Sequence, residues 1–292
     1  MDLRQLRYFL SIAEEGQISR AAKKLHMAQP PLSQQLQQME EELGVTLVER
    51  KRNGKKMELT EAGKILYEKA QSILHSFEES ILEVKETGEG MKGTLSIGVV
   101  LSCVSYLPAK IERFNQKYPN VSFKLLGGDP YEINRYLEKR EIELAIVHPP
   151  LAMNGLLTKE LGQEPYVFVF PKKWSSLGSK KSINMKEIEN IPLLLIHRTK
   201  GEGIYDEIKA ECNRVGIHPN ILCECPDVNI LLSLVSSGIG ASIVPKTSIP
   251  PFLNEGIKVL NINDTSLQSE TVLAWNQDRY LSRAAKRFID LF

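Results

Sequence analysis

The stretch 18–44 of this 292-residue chain constrains the fold most, because it reads as two helices joined by a turn too short to hold a third element. Ser19 suits the cap of a short helix, on which the small Ala21 and Ala22 let another helix approach while Leu25 points inward. His26 to Gln29 turn the chain. Pro30 and Pro31 fit a first helical turn, where a missing N–H loses no partner. A second helix therefore opens there and stops at Gly44, with Leu32, Leu36, Met39 and Leu43 as one apolar stripe. Its other face carries Ser33, Gln34, Gln37 and Gln38. Glutamine pairs with N6 and N7 of adenine in the major groove, and serine bonds a base or a phosphate, so this face has the chemistry of a base reader. The same pattern also suits a solvated helical hairpin. Leu3, Leu6, Phe9, Leu10 and Ala13 supply an amphipathic helix to pack behind the pair.

The residues just after the hairpin favour nucleic acid. Thr46-Leu47-Val48 and Met57-Glu58-Leu59 are short alternating runs on either side of Arg50-Lys51-Arg52-Asn53-Gly54-Lys55-Lys56, and Asn-Gly is a tight-turn signal. A β-hairpin tipped with cations makes a winged module whose tip can lie along phosphates. Residues 1–60 hold ten Lys or Arg against eight Asp or Glu, so the charge that matters is local. Most of the acids lie at Glu14-Glu15 and Glu40-Glu41-Glu42, away from the wing and from the start of the second helix.

These residues resemble the DNA-binding domain of the LysR-type transcriptional regulators. The likeness rests on Leu6-Arg7-Tyr8-Phe9, Ser19-x-Ala21-Ala22-x-x-Leu25, Ala28-Gln29-Pro30-Pro31-Leu32-Ser33-x-Gln35-Leu36, Glu40-x-x-Leu43-Gly44 and Leu59-Thr60-x-Ala62-Gly63. It implies that Gln29, Pro30, Ser33 and Gln34 face base edges or nearby phosphates of double-stranded DNA, and that Arg50 and Arg52 serve the wing. The chain departs from the family pattern at Gln34 and Gln37, where basic residues are frequent. Fewer cations there imply a weaker hold on phosphate and an altered base preference.

From Thr60 to about Gly88 the pattern is that of one long helix, roughly 40 Å at about 1.5 Å per residue. Its apolar residues Leu66, Ala70, Ile73, Leu74, Phe77, Ile81 and Val84 recur at helical spacing and need a cover, either the chain itself or a second copy. The resemblance implies the second, as a homodimer or homotetramer, and a two-fold dimer sets two reading helices on successive half-sites of a promoter palindrome. Gly88 to Gly93 break the helix. Beyond, strand-like and helix-like segments alternate: strands at 95–99, 121–125, 144–147, 166–170, 193–196, 221–225, 240–244 and 271–275, with helices between them and from Ser282 on. This βαβ rhythm implies a mainly parallel sheet in two α/β lobes with a cleft, a fold resembling the effector-binding domain of the same family and the type 2 periplasmic binding proteins. The expected plan is a winged helix-turn-helix at 1–60, a linker or dimerisation helix and hinge at 61–90, and a two-lobed domain at 91–292. Lobe I then covers about 91–162 and 268–292, and lobe II about 163–267.

The N-terminus lacks the apolar run of a secretory signal and no stretch nears the ~20 apolar residues of a membrane span, so the expected compartment is the cytoplasm. A solute-binding or transport-associated protein with the same two lobes is the alternative, but it needs a signal segment and no DNA reader. Five histidines are scattered, and no nucleophile elbow, phosphate loop or zinc-binding helix occurs, so neither an enzyme nor a cofactor or metal protein is expected. Of four cysteines, Cys223 and Cys225 share a face of a strand; Cys212 with Cys223 or Cys225 offers a third reading, a redox-sensing regulator, against that of ordinary reduced thiols. In open α/β sheets small molecules bind where strands end and helix N-termini offer N–H groups. Ser102, His148, Arg198 and Thr199 follow such strand ends and match regions that contact effectors in the family. The expected ligand is a small carboxylate.

Overall fold

Asp2 starts the first helix of the computed structural model, which describes residues 1–50, 57–86, 91–149, 155–174, 177, 179–197, 203–250 and 256–292. Its side chain accepts the N–H of Gln5 and Gln5 answers onto the Asp2 backbone, a reciprocal cap, so that α1 (Leu3–Glu15) runs until Gly16 turns left-handed at φ 61°. α2 (Ile18–Lys24) begins after Gln17 without a side-chain cap, so Ser19 sits inside the helix and not at its end. His26, at φ 52°, makes the turn. α3 (Gln29–Leu43) then opens with prolines in its first turn and ends at Gly44. Phe9, Ala21, Leu32 and Met39 close the core among the three helices, joined by Ile12 and Ile18, while Leu43 lies outside the stripe and is exposed.

β1 (Val48–Arg50) pairs antiparallel with β2 (Met57–Leu59), Arg50 opposite Met57. The wing tip with its Asn-Gly pair, and Arg52 with it, lies outside the described residues. Glu40 does not stand apart from the wing as its place in the charge pattern suggests: its carboxylate accepts the N–H of Leu47 at 2.7 Å and of Val48 at 3.3 Å, tying α3 to the wing strand. Thr60 caps the next helix, α4 (Glu61–Glu86), by accepting the Gly63 N–H at 2.9 Å while donating to the Thr46 carbonyl at 2.7 Å. Gly63 has no room for a side chain, since a Cβ there would lie 2.0 Å from the Leu47 carbonyl oxygen. Ala70 and Leu74 of α4 are buried in this unit, whereas Phe77, Ile81 and Val84 are exposed, Val84 at 70%. These elements form one compact unit, Met1–Glu89, and the remainder forms a second, Gly90–Phe292.

In the second unit β3 (Gly93–Val100), β4 (Val121–Gly128) and β5 (Leu144–Val147) are parallel, with β3 between its neighbours. A 3-10 turn (Leu101–Tyr106), α5 (Pro108–Lys117) and α6 (Pro130–Glu138) connect them. The chain leaves this lobe on β6 (Leu156–Pro171) and returns on β12 (Gln268–Asn276). Strands that leave and return must run in opposite senses, so the sheet is mixed and not mainly parallel: β6 is antiparallel to β12, β10 (Ser242–Pro245) and β11 (Ile257–Ile262). At the crossing Gly162, at φ 154°, faces Thr271, where the register shifts. The other lobe adds β7 (Ser182–Ile183), α7 (Met185–Ile188), the parallel pair β8 (Leu193–Ile196) and β9 (Ile221–Cys225), α8 (Ile204–Val215) and α9 (Val228–Ser237). α10 (Arg283–Ile289) returns to the first lobe, where Phe288 packs edge-on to Phe114. Each lobe has its own apolar core, in keeping with the layered α/β plan. Among the described residues no helix is long and apolar enough to cross a membrane.

Glu211 of α8 anchors the return to β12. It is 5% exposed and accepts from Arg214 Nε at 2.8 Å, Thr265 Oγ1 at 2.7 Å and the Ser266 N–H at 3.2 Å. The Arg214 guanidinium first, and the Thr265 and Ser266 donors after it, hold its carboxyl at about 2 against an ordinary 4.5. A carboxyl depressed on folding stabilises the native state above its unfolded value and stops doing so as pH falls through the folded one. The thermal midpoint should therefore drop between about pH 4.5 and 2, and Glu211→Gln should flatten that drop while lowering the midpoint at pH 7; a wild-type slope unchanged in the variant would remove Glu211 from this role.

Candidate nucleic-acid interface and ligand cleft

The face of α3 opposite its buried stripe carries Gln29, Pro30 and Gln34 exposed and Ser33 half-buried. Among the described residues no hydrogen bond occupies the side chains of Gln29, Ser33 or Gln34. Gln37, by contrast, donates to Glu41 at 2.9 Å and Gln35 accepts from Gln5 at 3.1 Å, so these two are held within the unit. The available donors thus cluster at the first turn and a half of α3, where a helix entering a groove presents its reading residues. Arg50 ends β1 next to the wing tip; its side chain, like all of Arg52, lies outside the described residues.

In the second unit the carboxyl ends of β3, β4, β8 and β9 converge on a cavity of about 290 Å³, with Ser102, Gly128 and Asp129 on one lobe and Ile196, Ile204 and Asp227 on the other. The helix N-termini expected to be open to an anion are already filled by the chain's own carboxylates. Asp129 accepts the Glu132 N–H at 2.8 Å at the start of α6, and Asp227 accepts from Asn229 at 2.7 Å and Ile230 at 3.0 Å at the start of α9. Both are ordinary caps. An aspartate just after a strand and just ahead of a helix is the sequence signal for each of them, and strand ends considered alone do not reveal it.

Ser102 does not open a long helix; it lies in the 3-10 turn ahead of α5. The fold brings it to His148, Ser102 Oγ standing 2.8 Å from His148 Nε2, with both residues buried. His148 Nδ1 is 2.9 Å from the Glu270 carbonyl oxygen and 3.1 Å from Ser269 Oγ, both at the start of β12 where the chain crosses between lobes. Cys103 Sγ approaches Nε2 at 3.3 Å. Ser269 and Glu270 carry no signal of this role in the sequence, since only the pairing of β12 with β5 brings them to the end of that strand; Cys103 comes with Ser102 on the 3-10 turn. His148, Ser269 and Glu270 also line a second inter-lobe cavity of about 530 Å³, together with Tyr166, Asp206 and Glu207. Arg198 and Thr199 lie outside the described residues; Ile196, at the end of β8, and Ile204, at the start of α8, line the smaller cavity.

Of the cysteines, Cys212 and Cys225 are buried and Cys223 is half-buried. Burial and the neighbouring Cys223 push the Cys225 thiol up to about 12, far from the thiolate that redox chemistry needs. The Cys223 and Cys225 sulfurs stand 4.0 Å apart on the same strand.

Residues 3–64 match the model of bacterial regulatory helix-turn-helix proteins of the lysR family, and residues 88–292 match that of the LysR substrate binding domain. Over 292 residues the chain is 39% identical to the HTH-type transcriptional regulator BsdA of Bacillus subtilis (strain 168), covering 100% of both. It is 33% identical to the HTH-type transcriptional regulator AlsR of the same organism, covering 100% of this chain and 95% of AlsR. Among solved structures, full-length CbnR complexed with its target DNA superposes with a TM-score of 0.76 at 26% identity, over 99% of this chain and 98% of CbnR.

Proposed function

The chain belongs to the LysR family of DNA-binding transcriptional regulators, with a C-terminal effector-binding domain, and from that premise we propose that it reads a palindromic operator as a homodimer or homotetramer under the control of a small carboxylate held between its lobes. Gln29, Pro30, Ser33 and Gln34 would meet base edges, and Arg50 and Arg52 the flanking phosphates. The exposed stripe of Ile73, Phe77, Ile81 and Val84 on α4 would be covered by a second copy, with 1–60 reading DNA, 61–90 joining copies and 91–292 sensing the ligand. Family membership sets aside both an enzyme and a free-standing solute-binding protein. The redox alternative, Cys212 with Cys223 or Cys225, has less support than the ligand reading, because burial pushes both the Cys212 and the Cys225 thiols up.

For the ligand, the observation that carries most is the pairing of walls around the 290 Å³ cavity: Ser102 on one side, and on the other Ile196 and Ile204, which precede and follow Arg198 and Thr199 in the sequence. Asp129, Glu132 and Asp227 line the same space, and their charge opposes a second carboxylate on the ligand. A monocarboxylate fits better than a dicarboxylate. Its binding would favour one lobe arrangement, and so shift the population competent for DNA.

An operator selected from random DNA by the purified full chain tests the first half of this reading. It should be a palindrome with half-sites about one helical turn apart, and a lone half-site would count against the dimer. Ser33→Ala with Gln34→Ala should lose roughly 1–3 kcal/mol of discrimination against random DNA for each good base contact removed. Arg50→Ala with Arg52→Ala should weaken all sequences alike and flatten the salt slope by about 0.9 per phosphate contact. Unchanged specificity in the first pair would sink the assignment of α3.

The second half is tested by titrating the full chain with benzoate and acetate beside succinate. The monocarboxylates should bind better than succinate, and Ser102→Ala should weaken them about tenfold, the loss of one hydrogen bond to a charged group. Equal affinity of wild type and variant would take Ser102 out of the site.

A further inference from the structure

We infer that carboxylate binding between the lobes is coupled to the uptake of one proton by His148, with Ser102 linking the two events; this deepens the carboxylate reading above and rests on it. Donors and acceptors around the ring decide where its hydrogen sits. His148 Nδ1 faces the Glu270 carbonyl oxygen at 2.9 Å, an atom that only accepts, so Nδ1 carries a hydrogen. In a neutral imidazole Nε2 is then bare and must accept. Its oxygen neighbour is Ser102 Oγ at 2.8 Å, so the hydroxyl hydrogen of Ser102 points at the ring. Cys103 Sγ, at 3.3 Å from the same nitrogen, is the weaker donor, and Thr271 Oγ1 lies 3.8 Å from that sulfur as another partner.

In this state Ser102 turns only lone pairs toward the cavity, which repel a carboxylate. A proton taken from solvent onto Nε2 reverses the bond. The imidazolium donates to Ser102 Oγ, the hydroxyl hydrogen is released toward the ligand, and the site gains one positive charge without any bond of the ligand being made or broken. The groups around the ring allow that charge. Glu270 of β12 and Asp206 and Glu207 of α8 line the cavity that His148 borders, as does Tyr166 of β6, whose hydroxyl donates to Glu207 at 2.6 Å. From the 3-10 turn come Cys103 and Tyr106; burial pushes the Tyr106 phenol up, and it bonds Thr271 and faces Glu164. Asp129, Glu132 and Asp227 line the cavity on the Ser102 side.

Calorimetric titration of the full chain with benzoate and acetate, at pH 6 and pH 8 in phosphate and in Tris, reads the coupling directly. The expected result is close to one proton taken up per carboxylate bound at pH 8, with affinity falling by up to about tenfold per pH unit above the imidazole's own titration. His148→Gln cannot take up a proton and should bind more weakly, with no uptake and no pH dependence; His148→Asn serves if circular dichroism shows the first variant misfolded. Binding without proton uptake in the wild type, or uptake that persists in the variant, overturns the coupling and leaves the carboxylate reading standing. If neither acid binds at either pH, the carboxylate reading fails and the coupling with it.

Discussion

The crossing of β6 and β12 is the constraint on which the ligand-binding unit depends. One strand carries the chain out of the first lobe and the other brings it back, each half of β6 pairing with a different set of partners. Antiparallel pairing results from that route, and so does the local irregularity, because a ladder continuous through two lobes must bend where they meet. Gly162 and the register shift at Thr271 take up that bend. His148 is fastened to the same place through the Glu270 carbonyl and Ser269, and Ser102 is fastened to His148. The polar centre of the cleft is thus built on the strand that joins the lobes, and not on a loop free to move by itself.

In the first unit the short wing depends on neighbours in a different way. A pair of three-residue strands has little stability alone. Here it is held by Glu40 of α3 on the Leu47 and Val48 amides, by Thr60 on the Thr46 carbonyl, and by the close approach of Gly63 to Leu47. Several residues that carry the family likeness, Glu40, Thr60 and Gly63 among them, therefore set the wing against the helices. The face proposed for DNA is the short polar row from Gln29 to Gln34. On that proposal, because the row carries amides and a hydroxyl and no cation, its contribution would fall on base choice more than on charge attraction.

Most of the architecture was legible because periodicity reports burial. The stripe Leu32, Leu36 and Met39 and the four-residue runs Leu144 to Val147 and Leu193 to Ile196 are buried as their spacing indicates. The start of β6 was not legible, since Gly162 and Pro165 interrupt its alternation and half of that stretch faces solvent. Leu43 departs from the stripe because a helix's last turn can leave its core, and Ser19 departs from its expected place because a serine early in a helix resembles a cap. In the cleft, Ser102 and His148 could be named from strand ends, but not their contact with each other, which depends on side chains 46 residues apart. The aspartate caps were not legible from strand ends alone: the first amides of α6 and α9 are taken by Asp129 and Asp227, so those helix ends are not bare toward a ligand.

That one ligand is held by both lobes and by the strand joining them is tested most directly by amide hydrogen exchange on the full chain with and without a bound carboxylate. Exchange should slow at 100–106 in one lobe, at 226–231 in the other and at 268–271 in the crossing, all at the same ligand occupancy. Slowing confined to one lobe, or absent from the crossing strand, would contradict a ligand held in this way.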